Sequence, residues 1–327
     1  MTLTQLRYIS ALAREGHFGR AAEACFVSQP TLSVAVRKLE DELGVPLFER
    51  QSSRVVPTDV GRRVISQAEK VLAESNRVVE LARAGQDQLA GQLRIGAIFT
   101  VGPYVLPYVI SPLHKSAPEM PLVIEENYTH VLGEKLRQGK LDVILISPPF
   151  SEPGIALWPV YEEDFSVLMP RQHHLSSQAS IPPSKLADEN MLLLGDGHCF
   201  RQQVLSACPE CNGREESQKP ARTTEGSSLE TIRHMVASGL GITVVPRSSL
   251  GRWYGGSEQA ELLCDRPFAG RAPRRQIALA WRETFPRPAA VRAVREAVLN
   301  ADIDGIRTLD DAAPIDSETG KALQLDS

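Results

Sequence analysis

Phe26-Val27-Ser28-Gln29-Pro30-Thr31-Leu32-Ser33 is the stretch on which the fold turns. Ser28 is a good helix N-cap, because its hydroxyl can accept from an N–H of the first turn. Pro30 falls in that turn, where its missing N–H costs nothing. The helix so begun keeps Leu32, Ala35, Val36, Leu39 and Leu43 inward, and Gly44 stops it. Upstream, Arg20 to Cys25 reads as a short helix with small residues at Ala21, Ala22 and Ala24, and Phe26-Val27 as a tight turn. Leu3, Leu6, Ile9, Leu12 and Ala13 mark an earlier helix, broken at Gly16-His17-Phe18-Gly19. A helix, a sharp turn and a second helix with a capped, polar start is the helix-turn-helix layout. Gln29, Pro30, Thr31 and Ser33 stand at the exposed start of its recognition helix, and Arg37 lies further along, towards the backbone. Val45 to Arg50 and Val55 to Thr58, joined through Gln51-Ser52-Ser53-Arg54, read as a β-wing that sets Arg50 and Arg54 against a phosphate backbone.

Outward from this head (residues 1–58) runs one long helical pattern, Asp59 to Ala84. Val64, Ala68, Val71, Ser75, Val78 and Ala82 alternate spacings of four and three, a heptad seam suited to a dimerising linker. Gly85 to Gly91 reads as a hinge, so the linker segment is 59–91. The texture then changes. Leu93–Ile98, Leu122–Glu126 and Asp142–Ile146 read as strands with helical stretches between them. A second block, from about 165 to 266, repeats the style with Phe165–Met169, Met191–Leu194 and Gly241–Val245. Gln276–Trp281 and a helix from Ala289 to Leu299 return to the first block. Residues 92–300 are therefore expected to form a bilobal α/β domain with a mostly parallel sheet and a cleft between lobes. The tail 301–327 is polar and acidic and is expected to be disordered.

Composition sets bounds. The 327 residues include 36 Lys and Arg against 40 Asp and Glu, for a net charge of −4. Taken alone, that sign argues against nucleic acid. Residues 1–66, however, carry nine basic and seven acidic residues, while the tail carries two and seven, so the tail accounts for the negative total. No apolar run is long enough to span a membrane, and the N-terminus has no signal-like core, so a cytoplasmic chain without a membrane partner is expected. Cys25, Cys199, Cys208, Cys211 and Cys264 make an odd set, a poor fit to a secreted disulfide framework. Cytosolic thiols stay reduced unless catalytic, metal-bound or sensory. On one helix Cys199 and Cys208 would stand roughly 13 Å apart on opposite faces, too far for a disulfide unless the segment refolds.

The run Phe18-Gly19-Arg20-Ala21-Ala22, Ser28 to Ser33, Leu39-Glu40, Leu43-Gly44, Leu47-Phe48-Glu49-Arg50, Thr58 and Gly61 resembles the winged helix of LysR-type transcriptional regulators. Ser228 to Ile242 is similar to their effector domain. Gly197-His198-Cys199 followed by Cys208 resembles the peroxide-sensing branch of that family. The match covers roughly residues 1–300. It implies a periplasmic-binding-protein-like regulatory domain, a homodimer through the linker helix and a homotetramer. It also implies promoter DNA and RNA polymerase as partners, and a glutaredoxin- or thioredoxin-type reductant. By the same resemblance hydrogen peroxide oxidises Cys199, which pairs with Cys208, and antioxidant genes are activated. Cys211, in Cys208-Pro209-Glu210-Cys211, departs from the pattern and is a competitor for the resolving role.

A peroxide sensor needs a thiolate and hydrogen-bond partners for the peroxide oxygens. His198 and Arg201 are expected to support the thiolate. Thr100 and Thr129 stand where the resemblance places peroxide-holding threonines, against a reading of both as helix caps. His198, Cys199, Cys208 and Cys211 could instead ligate metal, but a closed zinc site wants a second two-ligand hairpin that the sequence lacks, so neither metal nor cofactor is expected. Cys25 and Cys264 read as small buried hydrophobes. Two other functions compete. A regulator sensing a small organic ligand in the cleft would keep its thiols after peroxide. A thiol peroxidase would turn over steadily with reductant, and the helix-turn-helix argues against that enzyme.

Overall fold

The computed structural model describes residues 1–51, 54–84, 87–208, 223–251 and 261–323. It divides into two units, residues 1–86 and 87–327.

In the first unit α1 (Leu3–Glu15), α2 (Phe18–Ala24) and α3 (Gln29–Leu43) pack around Leu6, Ile9, Leu12, Ala21, Leu32, Val36 and Leu39. Local chemistry sets each boundary. Thr2 and Gln5 form a capping box, His17 Nδ1 accepts from Gly19 N–H at 3.0 Å, and Ser28 Oγ accepts from Thr31 N–H at 3.3 Å. His17, given no role from sequence, is thus a cap. The wing is a hairpin of β1 (Phe48–Gln51) and β2 (Arg54–Pro57), and Ser52 and Ser53 at its tip lie outside the described residues. Gln29, Pro30, Thr31 and Arg37 are exposed on α3 and Ser33 half-buried. Arg54 is exposed on the wing, and Arg50 pairs through its backbone with Val55. Thr58 caps the linker helix α4 (Asp59–Ala84) through Gly61 N–H at 2.8 Å. A Cβ at Gly61 would lie 2.0 Å from the Leu47 carbonyl oxygen, so only glycine lets α4 seat against the wing. The seam divides in two along α4. Val64 and Ala68 pack into the head, whereas Val71 and Val78 are 37% and 67% exposed.

In the second unit β3 (Leu93–Ile98), β4 (Leu122–Asn127) and β5 (Val143–Ile146) are parallel, with α5 (Gly102–Ser116) and α6 (Thr129–Arg137) as crossovers. The long β6 (Ile155–Pro170) and β11 (Arg274–Arg282) run antiparallel beside them. Phe165–Met169, read from sequence as a separate second-lobe strand, is the far half of β6, which there pairs with β9 (Thr243–Pro246) and β10 (Leu263–Pro267). Between these strands lie α7 (Pro183–Leu186), the parallel pair β7 (Met191–Leu194) and β8 (Thr223–Gly226), α8 (Cys199–Ala207) and α9 (Leu229–Ala237). Two buried clusters result, one per lobe. The first is closed by α10 (Pro288–Leu299), whose leading Arg287 donates to the carbonyls of Gln88, Gly91 and Gln92. The expected hinge is therefore anchored from residue 87 onward, and Gly85 lies outside the described residues.

The tail corrects the expectation of disorder. β12 (Ile306–Thr308) and β13 (Ile315–Asp316) add to β6, Trp158 Nε1 donates to the Ala312 carbonyl at 2.6 Å, and Arg295 reaches the carbonyls of Leu309 and Asp310. Backbone pairing needs no apolar side chains, so acidic composition does not prevent it.

Candidate functional site

Cys199 opens α8, where four N–H groups lack intrahelical partners and negative charge is favoured. It touches the first lobe's core, while its neighbours Phe200, Val204 and Cys208 are buried in the second. The i, i+4 rule puts Gln203 on the Cys199 face, and Gln203 Nε2 donates to Ser147 Oγ at 2.9 Å in the first lobe. The thiol therefore sits on the seam between two cores.

A small, partly open recess of about 190 Å³, mouth included, is lined by Thr100, Thr129, Tyr128, His198 and Cys199 together with Phe99 and Asn127. The helix-cap reading of the threonines fails. The N-caps of α5 and α6 are Val101 and Tyr128, and neither makes a side-chain cap. Thr129 Oγ1 is buried without a hydrogen-bond partner, and so is His198 Nε2. Burial holds the His198 pKa below the usual imidazole value, and the Ser227 carbonyl accepts a hydrogen bond from the ring. Burial thus favours the neutral ring, and with the other ring nitrogen donating to Ser227, Nε2 is left as an acceptor. Its ring meets Tyr128 edge-on at 4.8 Å. Gly197 has φ +94°, and a Cβ there would press on the Tyr128 ring at 3.2 Å, which explains the Gly-His-Cys order.

Arg201 does not join this group. Two residues past Cys199 it faces away, bound to the Leu194 carbonyl and Glu225 at 2.9 Å and to Asp196 at 3.4 Å. Sequence reasoning missed the cation that does approach. Arg275 Nη1 donates to Thr100 Oγ1 at 2.7 Å and Nη2 to the Thr100 carbonyl at 2.8 Å. Nε is held by Glu163 at 2.8 Å, and the guanidinium lies 5.1 Å from the Phe200 ring centroid. Its signal was present: Arg275 takes a core-facing position in step with Ile277 and Leu279 on β11, where an arginine must serve a buried partner.

Among the described cysteines Cys25, Cys199 and Cys264 are free thiols. Burial raises the pKa of Cys25 and Cys264, in keeping with inert thiols. Cys208 is fully buried and disulfide-bonded, to a sulfur that is not that of Cys199. Cys211 lies outside the described residues.

The chain is similar to known proteins over most of its length. Residues 3–62 match the bacterial regulatory helix-turn-helix protein, lysR family, and residues 86–302 match the LysR substrate binding domain. The DNA-binding transcriptional dual regulator OxyR of Escherichia coli K12 is 37% identical over 305 residues, 93% of this chain and 97% of its own. A probable hydrogen peroxide-inducible genes activator of Streptomyces viridosporus is 39% identical over 94% of this chain and 97% of its own. Among solved structures, a full-length cysteine-to-aspartate variant of OxyR from Pseudomonas aeruginosa superposes with TM-score 0.74 at 49% identity, covering 94% of this chain and 98% of its own. A peroxide-bound cysteine-to-serine variant from Corynebacterium glutamicum gives 0.60 at 32% identity, covering 91% of each chain.

Proposed function

This chain belongs to the LysR family of bacterial transcription regulators, and from that premise we propose a peroxide-driven switch centred on Cys199. The chain is a DNA-binding regulator that responds to hydrogen peroxide. One observation carries the site assignment: Thr129 Oγ1 and His198 Nε2 are buried without protein partners around the recess that holds Cys199. Buried polar groups are otherwise almost always paired, so these two are set for a small polar guest. Thr100, its hydroxyl oxygen already accepting from Arg275, keeps its own proton to donate.

The Cys199 sulfur attacks one peroxide oxygen and the O–O bond breaks. His198 Nε2 accepts a proton in transit, and sulfenic acid and water are the products. The Cys208 thiol then attacks the sulfenic sulfur, forming a Cys199–Cys208 disulfide and releasing a second water. Cys208 is itself disulfide-bonded in this structure, so it resolves Cys199 only once that bond is reduced. A glutaredoxin- or thioredoxin-type partner supplies the electrons, and Cys211 remains the competitor. Closing the bond pulls α8 off both lobes, breaking the Gln203–Ser147 contact and the Phe200 packing. The exposed stretch of α4 around Val71 and Val78 joins two heads on one promoter, pairs of dimers form the tetramer, and RNA polymerase reads the altered complex.

The test starts from fully reduced protein given one equivalent of peroxide, followed by disulfide peptide mapping. Cys199–Cys208 is the expected bond, with operator binding altered. Cys199→Ser should bind DNA and ignore peroxide, and a normal peroxide response in that variant would sink the assignment. Cys199–Cys211 as the dominant bond would overturn the ordering of the resolving thiols.

A further inference from the structure

Outside this chemistry, the described residues contain one group of three histidine and carboxylate side chains that the function leaves unused. His173 and His174 begin a single 3₁₀ turn after β6, and Glu189 lies in the turn between α7 and β7. Their ligand atoms all fall within 4.8 Å of one another. His173 Nε2 is 3.3 Å from Glu189 Oε2, and His174 Nε2 is 2.7 Å from Glu189 Oε1. We propose that His173, His174 and Glu189 form a binding site for a borderline divalent transition metal such as Zn²⁺.

Three features support this. Two imidazoles and a carboxylate are the ligand set of open zinc sites, and the imidazoles exclude Mg²⁺ and Ca²⁺ as preferred ions. A tetrahedral ion with bonds near 2.05 Å spaces its ligand atoms by roughly 3.3 Å, the separation that His173 and Glu189 already have. Finally, the site is partly preformed. His173 and Glu189 are sheltered, with side chains 17% and 14% exposed, and their backbone N–H groups are fixed to the carbonyls of Pro170 and Leu186. His174, 68% exposed, completes the rim and leaves further positions to water. Two local bonds oppose binding. His174 Nε2 and Glu189 Oε1 share a hydrogen bond at 2.7 Å, which must open to the ligand spacing. His173 Nδ1 accepts from Leu175 N–H at 3.3 Å, and a metal on Nε2 places a proton on Nδ1. That long contact is given up for the metal bond. The ion would tie the start of β7, the strand leading to the Cys199 loop, to the end of β6.

The full chain, with its thiols kept reduced, is titrated with Co²⁺ as the spectroscopic probe and then with Zn²⁺. One equivalent of Co²⁺ should give a d–d band without thiolate charge transfer, displaced by Zn²⁺, and the melting temperature should rise. His174→Ala and Glu189→Gln should each weaken binding about tenfold or more. His174→Ala changes an exposed side chain, so loss of binding with unchanged far-UV circular dichroism supports the site. No Co²⁺ band, a thiolate band, or binding unaltered in both variants would overturn it. The peroxide response of Cys199 is a separate readout, and its success or failure leaves this outcome untouched.

Discussion

Thr100 and Thr129 look interchangeable in sequence and are wired differently. Thr129 Oγ1 has no partner, so Thr129→Val removes an unsatisfied buried group and should leave the resting protein as stable or slightly more so. Thr100→Val strands Arg275 Nη1 in the interior and should cost roughly 1–3 kcal/mol. Both should slow Cys199 oxidation, each by about tenfold if one hydrogen bond to the reacting oxygens is lost. Urea melts paired with stopped-flow oxidation separate the effects. Equal destabilisation of both variants, or unchanged oxidation in both, would contradict the wiring. At this scale the sequence was partly legible. Cys199 and His198 could be named because they lie in a recognisable motif, and Thr100 and Thr129 because the family resemblance points to their positions. Arg201 was misplaced because nearness along a helix is not nearness in space. Arg275 was overlooked because its partner lies 175 positions away.

Elements were more legible, since their signals are local. The Ser28 cap and the Gly44 stop both work within a few residues. The linker helix is the instructive case. Its heptad pattern was visible, but pattern alone could not say that Val64 and Ala68 are consumed by the head while Val71 and Val78 stay exposed. That division makes the second half the place to test dimerisation. Val71→Glu should leave the head folded, because the side chain packs on nothing essential there. It should disrupt the proposed dimer and weaken operator binding by on the order of a hundredfold, the gain lost when two heads no longer share one duplex. Sedimentation and operator titration check it. A monomeric variant that binds the full operator as tightly as the parent would remove α4 from the interface.

Across the whole molecule the alternation of strands and helices announced two α/β lobes, while the fate of the tail was illegible. Average composition hides two kinds of anchor in the tail: a few apolar side chains, Ile303, Ile306, Ile315 and Leu323, that pack on the first core, and a backbone that pairs with β6, accepts from Trp158 and offers carbonyls to Arg295. Ending the chain after Gly305 should therefore destabilise the regulatory unit, by on the order of 3 kcal/mol from several lost hydrogen bonds and uncovered apolar surface. Calorimetry on the shortened chain should show a lower melting temperature. An unchanged transition would mean that the paired tail adds nothing to stability.

The shared strand β6 has a consequence for how such a molecule can be rearranged. The first lobe is assembled from two separated pieces of chain, and the second, from about 165 to 268, is inserted between them. The insertion begins and ends at neighbouring points of one sheet: Asp164 is the register partner of Arg274, their side chains pair at 3.4 Å, and Phe165 N–H donates to the Pro273 carbonyl at 2.9 Å. Two adjacent junctions are thus enough to lift out the lobe that carries both Cys199 and Cys208. In the language of genetic recombination, that lobe is a cassette. It is exchangeable between related chains at a single seam, whereas the threonines that face its thiol stay behind with the host.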